Sequence, residues 1–466
     1  MPPTTSDTVS PQRAAAALSF KIFFAALVVR WIYVLAVYGW MGDAGMKGVD
    51  SIEYARNAVA FAEALKSGML TLNEALGTNP YTMPLFHWLA GLPYLIFGNA
   101  HGALAYVLLQ GAFDAATCVI VYRIALQLAP RIALAAAIVA ILNPTQIVMS
   151  GLFYADTPFT TFVALSFLAA LKWADAPNLR NSALLGVSLG IAALIRAIIV
   201  PWAFFALALL AIYALIRRAS MRRVASLALA LVVLGGCVGT ILFKNYRHYG
   251  TAGISPQSGI YLALWIVPFA KEMQDRTPYA KTAEEMEKKR LERFGPLPAN
   301  YYEQSRQYTE IGREALKDIS AIALVKSWMS GIAINLTAPA ILLSPPLSQI
   351  PRTGFVDTPG SSFPEKVFNY AFRSGNAIYS SFLIAGLAGL TIMRAAQSIG
   401  FVSLARQAAL WPALFLMLSW FGYLLVVSGP IASPKYRLPL EPLFNVMTGA
   451  GLIALFDWRK KKSETS

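Results

Sequence analysis

Apolar runs of membrane-spanning length recur along nearly the whole chain, and they restrict its fold more than any other feature. A helix that crosses the hydrocarbon core of a bilayer needs about 20 largely apolar residues. The chain is 57% hydrophobic and 14% charged, whereas soluble domains are typically about a quarter charged. We therefore predict an all-α polytopic membrane protein with about 10–12 transmembrane helices, juxtamembrane helices and an outer-face loop domain. The ten predicted spans are 20–40, 100–123, 132–150, 157–173, 182–199, 200–216, 224–243, 376–393, 409–428 and 436–456.

Basic residues in short loops predict the orientation of these spans, because cytoplasmic loops carry an excess of lysine and arginine. Ten crossings put all the strongly basic loops and both termini on the cytoplasmic side. This distribution accounts for the net charge of +15, so we exclude nucleic-acid binding. We expect an integral protein of a bacterial inner (plasma) membrane. The basic loops are flanked by or contain Arg123 and Arg131; Lys172 and Arg180; Arg217, Arg218, Arg222 and Arg223 (the four-arginine cluster); and Arg394 and Arg406; the tail reads WRKKK.

Two further apolar stretches, 84–98 and 328–344, are short or interrupted. The first contains Pro93, which we expect to break it, and the second contains Asn335 and Pro339. If 84–98 crossed the membrane by itself, the four-arginine cluster would face outward. We therefore predict that both stretches are juxtamembrane or re-entrant segments on the outer side.

The predicted topology divides the chain into three parts. Residues 1–243 form an N-terminal catalytic transmembrane module, whose first outer loop is 41–99. Residues 244–375 form a large outer-face loop with amphipathic helices. Residues 376–466 supply the C-terminal transmembrane helices and a short cytoplasmic tail.

Three features are predicted within the large loop. Residues 281–294 form a solvated helix, with Glu284–Lys288 and Glu285–Lys289 pairs at i,i+4. Residues 303–327 form one amphipathic helix on the membrane surface. The proline-rich stretch 344–366 is a loop of a length that suits a cover over a substrate cleft.

Two aspartates stand at the outer ends of predicted spans. Asp50 lies in GVDSIEYARNA (48–58), directly after the first span, and Asp156 lies in SGLFYADTPFTT. Asp156 has an alternative role as a helix cap, with Pro158 in the first turn. Asp50 has the weaker alternative of a solvated turn. Paired acids on one face of the membrane are the groups that general acid–base chemistry requires.

Basic residues on the outer side form a second set of candidates. Lys435 and Arg437, in SPKYR, break the positive-inside pattern on a short loop, so we expect them to bind an anionic group such as a phosphate. Arg196 and Arg247 also lie near outer ends of spans. The alternative for each is a headgroup anchor.

Within the membrane, Arg30 and Asp114 lie at similar depths of their predicted helices. A lone charge at such a depth costs roughly 3 kcal/mol or more. We predict a structural Arg30–Asp114 ion pair, with separate partners for each residue as the alternative. Cys118 and Cys237 lie in apolar helices and are expected to be small buried side chains rather than metal ligands. The chain has no HExxH, no CxxC and no P-loop, which argues against ATP-driven transport.

Four stretches carry a resemblance to a known family: GVDSIEYARNA, NPTQIVMSGLFYADTPF, LLGVSLGIAALIRA and KYRLPLEP, with FKNYRHYG opening the large loop. The chain resembles the C-superfamily integral-membrane glycosyltransferases, of the family that contains protein O-mannosyltransferases and the lipid A aminoarabinose transferase. The resemblance implies transfer of a sugar from a polyprenyl-phosphate carrier to an acceptor hydroxyl on the outer face, with inversion. It also implies that Asp50 is the catalytic base, that Asp156 matches the second acidic position, and that basic outer-loop residues hold the phosphate. The predicted substrate-binding residues are Lys435, Tyr436, Arg437, Arg196, Arg247 and Tyr54.

The sequence departs from the family pattern in places that bear on cofactors. Ser51 follows Asp50 where protein mannosyltransferases carry paired acids, and TNPYTMP lacks charge, with Glu74 the nearest acid. These departures count against a bound divalent metal, and no cofactor is assigned. The expected partners are a polyprenyl-phosphate-linked sugar donor, a lipid, glycan or protein acceptor, and membrane lipids.

Two other functions are considered. A lipid-linked-sugar flippase or other secondary transporter should place ionisable residues at mid-bilayer between broken, repeated helices. A noncatalytic scaffold needs no paired outer acids. The clustering of acids in outer loops favours the glycosyltransferase.

Overall fold

Long helices make up most of the computed structural model, which describes residues 11–68, 71, 75–77, 79–355, 357–373 and 375–465. No strand occurs among these residues. In chain order the helices are α1 (Pro11–Met41), α2 (Ser51–Lys66), α3 (Pro84–Leu128), α4 (Ala133–Leu142), α5 (Pro144–Ser150), α6 (Asp156–Asp175), α7 (Leu179–Ile195), α8 (Val200–Ile216), α9 (Met221–Ala225), α10 (Leu227–Tyr249), α11 (Gln257–Tyr261), α12 (Val267–Asp275), α13 (Tyr279–Phe294), α14 (Tyr301–Leu316), α15 (Ala321–Thr337), α16 (Pro345–Ser348), α17 (Phe363–Phe372), α18 (Ala377–Ala405), α19 (Trp411–Ser428) and α20 (Glu441–Thr465). A 3₁₀ helix, Pro434–Leu440, leads into α20.

Eight helices in the described part of the chain are long and apolar enough to cross a membrane, and the number rises to ten if each of two bent helix pairs is one span. The predicted class, an all-α polytopic membrane protein, is confirmed. The bent pairs are α4 with α5, at 47°, and α14 with α15, at 119°. The first bend falls at Asn143, whose side chain caps α5 by accepting hydrogen bonds from the N–H groups of Thr145 and Gln146.

Ion-paired and hydrogen-bonded side chains cross the interior between α1, α3, α5 and α20. Arg30 Nε lies 2.7 Å from Asp114 Oδ2, and both side chains are buried. Gln146 Nε2 donates to Asp114 Oδ1 at 2.7 Å, and Asn445 Nδ2 donates to Gln146 Oε1 at 2.5 Å. The predicted pairing of Arg30 with Asp114 is therefore present, and Arg30 also donates to the carbonyl of Ala140 at 2.8 Å.

The same set of polar contacts continues toward the end of the helices where α20 begins. Asn143 Nδ2 donates to Asn445 Oδ1 at 2.8 Å and to Glu441 Oε2 at 2.9 Å. Glu441 Oε1 in turn accepts from Arg437 Nε at 2.6 Å. A buried polar group without a hydrogen-bond partner is costly. These connected hydrogen bonds and ion pairs therefore fix the relative positions of the four helices.

Several predictions about segments need correction. Pro93 does not break the first arm of α3, because the helix runs through it and bends at Gly98, which has φ +71° and ψ 178°. The non-helical backbone at Gly98 divides α3 into two arms, 84–97 and 99–128. At about 1.5 Å per residue, the second arm alone is long enough to cross a bilayer core. Arg394 lies inside α18 and does not flank a loop.

The large loop also differs from its prediction. The single helix expected at 303–327 is two helices, α14 and α15, because Ser320 caps a new helix by accepting from Ala323 N at 3.2 Å. The stretch 344–366 contains α16 and the first residues of α17. The helix expected at 281–294 is present as α13, but its ion pairs are different: Lys288 pairs with Glu292 at 3.9 Å, and Glu285 pairs with Lys271 at 3.2 Å.

Candidate active site

Two ion pairs bring together four residues that are distant in sequence. Asp50 precedes α2 and pairs with Lys435 of the 3₁₀ helix before α20. Asp156 begins α6 and pairs with Arg196, which directly follows α7. Tyr54 interacts electrostatically with all four charged groups, so the two pairs form one cluster. The cluster holds two carboxylates and two cations at one end of the helices.

Asp50 is the more accessible of the two acids. Its side chain is 37% exposed, whereas that of Lys435 is 12% exposed. Asp50 occupies the N-cap position of α2, but its carboxylate makes no capping hydrogen bond. The carboxylate is therefore engaged by Lys435 rather than by the helix, and it lies within reach of a molecule arriving from outside.

Asp156 is buried, with a side chain 2% exposed, and Arg196 is 23% exposed. The alternative role of a helix cap does not fit, because the N-cap residue of α6 is Ala155 and no side-chain cap bond forms. One carboxylate oxygen, Oδ1, binds Arg196, and the other, Oδ2, has no hydrogen-bond partner among the described residues. A buried carboxylate oxygen without a donor is costly, so this atom is suited to accept a hydrogen bond from a bound molecule.

The turn that presents Asp156 is fixed by α3. Tyr106 Oη donates to the carbonyl of Tyr154 at 2.8 Å, and Gln110 Nε2 donates to the carbonyl of Leu152 at 2.7 Å. These donors come from a buried helix face, since both side chains are fully buried. The turn 151–155 is therefore a rigid support for the start of α6.

The segment that carries Asp50 is bound to the same turn. Phe153 N donates to Met46 O at 2.9 Å, and Ser51 Oγ donates to Phe153 O at 3.1 Å. Gly48 approaches the ring of Tyr154 so closely that a Cβ atom there would lie 1.8 Å from Tyr154 Oη. A side chain at residue 48 would therefore displace the ring of Tyr154, and glycine allows the two acidic segments to approach closely.

Aromatic residues enclose the charged cluster. Lys435 Nζ lies 5.2 Å from the ring centroid of Tyr154 and 5.3 Å from that of Tyr436, which is cation–π geometry. Burial raises the pKa of Tyr54 to about 12, against the lowering effect of the Arg196 guanidinium. Burial also raises the pKa of Tyr154 to about 12 and raises that of Tyr261, which interacts electrostatically with Tyr436. The hydroxyls of Tyr54, Tyr154 and Tyr261 are therefore neutral at physiological pH.

Arg437 does not have the position expected of a phosphate-binding residue. Its side chain is fully buried and forms an ion pair with Glu441 at 2.6 Å. Its Nη1 donates to the carbonyls of Asn335 and Ala338, both at 2.9 Å, and its Nη2 donates to Thr145 Oγ1 at 3.0 Å. The prediction of direct phosphate contact by Arg437 is therefore corrected, because its donors are used to hold neighbouring segments in place.

The remaining predicted residues divide in the same way. Tyr436 and Tyr54 lie at the cluster, as the contacts of Lys435 and Tyr54 show. Arg247 is exposed in the last turn of α10 and forms no ion pair among the described residues. Tyr154 and Tyr261 were not predicted. Tyr154 lies two residues before Asp156 in the same motif, and this position is the sequence signal that could have identified it.

The described residues contain no group of three or more histidine, cysteine, aspartate or glutamate side chains placed to hold a metal ion. Glu74, the nearest acid to TNPYTMP, lies outside the described residues. Cys118 is buried, with Arg30 Nη2 3.4 Å from its sulfur, and Cys237 is partly buried; neither forms a disulfide.

Residues 79–243, about a third of the chain, match the sequence model of a family described as dolichyl-phosphate-mannose-protein mannosyltransferase. The matched segment includes Asp156 and Arg196, whereas Asp50 precedes it and Lys435 follows it. Over this segment the match agrees with the predicted resemblance to the family that contains protein O-mannosyltransferases. Comparison with curated proteins gives no match.

Two solved structures are similar over most of the chain. The crystal structure of ArnT from Cupriavidus metallidurans in the apo state is 15% identical, with 93% of this chain and 78% of that chain covered and a TM-score of 0.37. The crystal structure of ArnT from Cupriavidus metallidurans bound to undecaprenyl phosphate is also 15% identical, with 92% and 77% covered and a TM-score of 0.36. Scores of this size are too low to establish a common fold.

Proposed function

We propose that the protein is an inverting glycosyltransferase that moves a sugar from a polyprenyl-phosphate carrier to an acceptor hydroxyl on the outer face of the membrane. The observation that carries this proposal is the meeting of the Asp50–Lys435 and Asp156–Arg196 ion pairs at one end of the helices. The two cations suit binding of the donor phosphate. The two carboxylates suit removal of the acceptor proton and hydrogen bonding to substrate hydroxyls. The family match over residues 79–243 supports the same reaction class.

The outer-face location is supported by the opposite ends of the same helices. Asp156 begins α6, and Lys172 lies in its last turn. Lys435 precedes α20, and the last turn of that helix contains Lys462. Because basic loops face the cytoplasm, the charged cluster faces the periplasm or exterior. The segment 244–375 then lies on the same outer side.

The proposed chemical step uses Asp50 as general base. The acceptor hydroxyl attacks the anomeric carbon opposite the phosphate and forms the new C–O bond. The bond from that carbon to the phosphate oxygen breaks, and its electron pair leaves on the phosphate. The hydroxyl proton passes to Asp50, and one base suffices because phosphate leaves as a stable anion.

Lys435 and Arg196 act on the departing phosphate. Both cations bind carboxylates, Lys435 through Asp50 and Arg196 through Asp156. A donor phosphate replaces the Asp50 carboxylate as the partner of Lys435, and Arg196, which keeps its pair with Asp156 through Nη1, contributes its remaining N–H donors to the phosphate. Donor binding thereby releases Asp50 from Lys435 at the moment when a free base is needed. The cations favour the transition state, since their interaction strengthens as charge develops.

Asp156 is assigned to the hydroxyl groups of the substrate. Its Oδ2 atom is buried and without a partner among the described residues. A sugar or acceptor hydroxyl donating to that atom satisfies it and orients the substrate. Tyr54 and Tyr436, beside the cluster, supply hydroxyl groups and apolar ring faces that suit a sugar.

The experiment is mass spectrometry of envelope lipids, glycans and glycoproteins from cells that express the intact chain or Asp50→Asn at equal membrane levels. We expect one sugar modification to be present with the intact chain and absent with Asp50→Asn. Glu53→Gln is the matched control, because Glu53 lies on the same helix and makes only exposed contacts, an ion pair with Arg56 and a hydrogen bond from Asn79 Nδ2, both at 3.2 Å. Identical profiles for the intact chain and Asp50→Asn, in cells that contain donor, would contradict the proposal.

A second candidate is a lipid-linked-sugar flippase or secondary transporter. The observation that favours it is the 47° bend between α4 and α5, next to the buried Arg30–Asp114 pair. Transport of a labelled donor across a proteoliposome membrane, without release of free polyprenyl phosphate, distinguishes this candidate from sugar transfer.

A further inference from the structure

The short segment 429–433, which precedes the 3₁₀ helix that carries Lys435, has no regular secondary structure. It leaves α19 at Ser428, turns at Gly429 with φ +61°, and enters the 3₁₀ helix at Pro434. Lys435 N donates to Ser433 Oγ at 3.3 Å, which is a local contact within the turn. The position of the Lys435 side chain therefore depends on what holds residues 429–434 from outside.

Asn335, near the end of α15, holds this segment through both the oxygen and the nitrogen of its side-chain amide. Its Oδ1 accepts from Ser433 N at 2.8 Å, and its Nδ2 donates to Ile431 O at 3.2 Å. The Asn335 residue is 1% exposed, so water does not compete for these bonds. One side chain thus fixes two backbone groups within four residues of Lys435.

The rest of α15 lies against the same segment. Trp328 Nε1 donates to Val426 O at 3.1 Å. A Cβ atom at Gly331 would lie 2.5 Å from Gly429 O, so the glycine permits the close approach of the helix to the turn. Because contacts occur at Trp328, Gly331 and Asn335, one face of α15 follows the segment 426–433.

Two arginines hold the C-terminal end of α15. Arg437 Nη1 donates to the carbonyls of Asn335 and Ala338, both at 2.9 Å, and Arg394 Nε donates to the carbonyl of Leu336 at 3.2 Å. Cations at the C-terminal end of a helix satisfy its free carbonyls and complement its dipole. The end of α15 is therefore fixed to both α18 and the start of α20.

We infer that Asn335 is a positioning residue for Lys435, and that α15, from the large loop, is required to complete the phosphate-binding site. The inference rests on the proposed function, in which Lys435 binds the donor phosphate. Asn335 acts through the backbone of residues 431–433 and has no assigned contact with substrate. Without its two hydrogen bonds, Lys435 is no longer held beside Asp50.

The first test is a double-mutant cycle on the turnover of the reconstituted full-length protein. Asn335→Ala is expected to lower turnover by about 10- to 100-fold, since small misplacements at a reacting site have costs of that order. In the Lys435→Gln background, the same change is expected to lower turnover by less than about twofold, because the group that it positions is absent. If the reductions in turnover caused by Asn335→Ala and Lys435→Gln multiply in the double variant, the inference is overturned.

The second test does not depend on catalysis. Hydrogen–deuterium exchange of peptides covering residues 430–437 is expected to accelerate in Asn335→Ala, because the Ser433 amide loses its acceptor. Asn335→Asp keeps that acceptor, so exchange at Ser433 is expected to stay slow. If Asn335→Ala does not fold, Asn335→Leu takes its place, because leucine is similar in size to asparagine and lacks both hydrogen-bonding groups.

Asn369→Ala is the matched control, since Asn369 is a buried asparagine of the large loop whose Nδ2 donates to Pro359 O at 2.9 Å. Asn369→Ala is expected to leave hydrogen–deuterium exchange at residues 430–437 unchanged. Any effect that it has on turnover is expected to multiply with the effect of Lys435→Gln. Unchanged exchange in Asn335→Ala would overturn the inference. If the intact protein transfers no sugar, the proposed function fails, and the exchange experiment still decides whether Asn335 holds the segment.

Discussion

Lys435 and Asp50 are 385 residues apart in the sequence, and their side chains form an ion pair at the charged cluster. The pair connects the segment before the last helix with the segment after the first helix. Each partner is assigned a different task in catalysis, Lys435 on the phosphate and Asp50 on the acceptor proton. The pair has no net charge, and in the proposed mechanism the anionic donor displaces Asp50 from Lys435.

Replacing Lys435 by Gln is expected to raise the KM for the donor and to lower kcat. The phosphate loses a cation in the ground state and loses more as charge develops in the transition state. Removing one such preorganised group typically costs about 10²–10³ in turnover. Steady-state kinetics in reconstituted membranes measures both constants.

Lys366→Gln is the control for that substitution. Lys366 is 13% exposed, almost the same as Lys435 at 12%, and pairs with Glu272 at 2.7 Å in the large loop. It is expected to change stability without a selective change in the donor KM. Unchanged kinetics of Lys435→Gln would return Lys435 to the role of a headgroup anchor.

Arg196→Gln is expected to destabilise the protein as well as inactivate it. The substitution leaves the Asp156 carboxylate, 2% exposed, without its counter-charge. Breaking a buried pair in this way costs roughly 3–5 kcal/mol. Thermal unfolding in detergent should show a lower transition temperature. The double variant Arg196→Gln/Asp156→Asn is expected to recover most of the stability while remaining inactive; recovery of activity would remove both residues from the reaction.

The class of the protein and the location of most spans could be predicted from the sequence, because about 20 apolar residues are a direct requirement of the bilayer. The ends of helices were less predictable. The separation of α14 from α15 depends on Ser320 acting as a cap, and the hydrophobic pattern continues across that break. The passage of α3 through Pro93 depends on packing, since Pro93 and Tyr94 are buried.

The acidic residues of the candidate site could be predicted from the sequence, whereas its lysine and arginine residues could be predicted only in part. Outer-side placement identified Asp50, Asp156, Arg196 and Lys435 without indicating which carboxylate binds which cation. Arg437 was assigned to phosphate because charge alone does not distinguish a buried structural arginine from a ligand-binding one. The spacing of Arg437 and Glu441 by four residues, before the last helix, was the local sign of their pairing. Asn335 had no such sign, because its partners are backbone groups of a distant turn.

The effects of substituting Arg30 and Asp114 on the free energy of unfolding are expected to be strongly coupled. Its atoms are 2.7 Å apart and fully enclosed, so each residue alone leaves an uncompensated charge in the membrane interior. A double-mutant cycle with Arg30→Gln and Asp114→Asn should give a coupling energy of about 1–3 kcal/mol in unfolding. Additive effects would mean that the carbonyl of Ala140 and the amide of Gln146 suffice for each residue separately.

Tyr54 is expected to stay protonated over the working pH range. Burial raises its pKa from 10.0 to about 12, and Arg196 opposes that rise. A raised pKa keeps the hydroxyl neutral up to about pH 11, so Tyr54→Phe should leave the alkaline limb of the pH–rate profile in place. A shift of that limb by more than about one pH unit would show that Tyr54 ionises during turnover.

The most direct test of the central claim is the turnover of purified Asp50→Asn in nanodiscs with a polyprenyl-phosphate sugar and its acceptor. Asparagine is nearly isosteric with aspartate, and Asp50 is partly exposed and caps no helix, so the variant should fold and bind donor. Loss of a general base predicts a fall in kcat of about 10²–10⁴. A folded Asp50→Asn protein that binds donor and retains most of its sugar transfer would contradict the account.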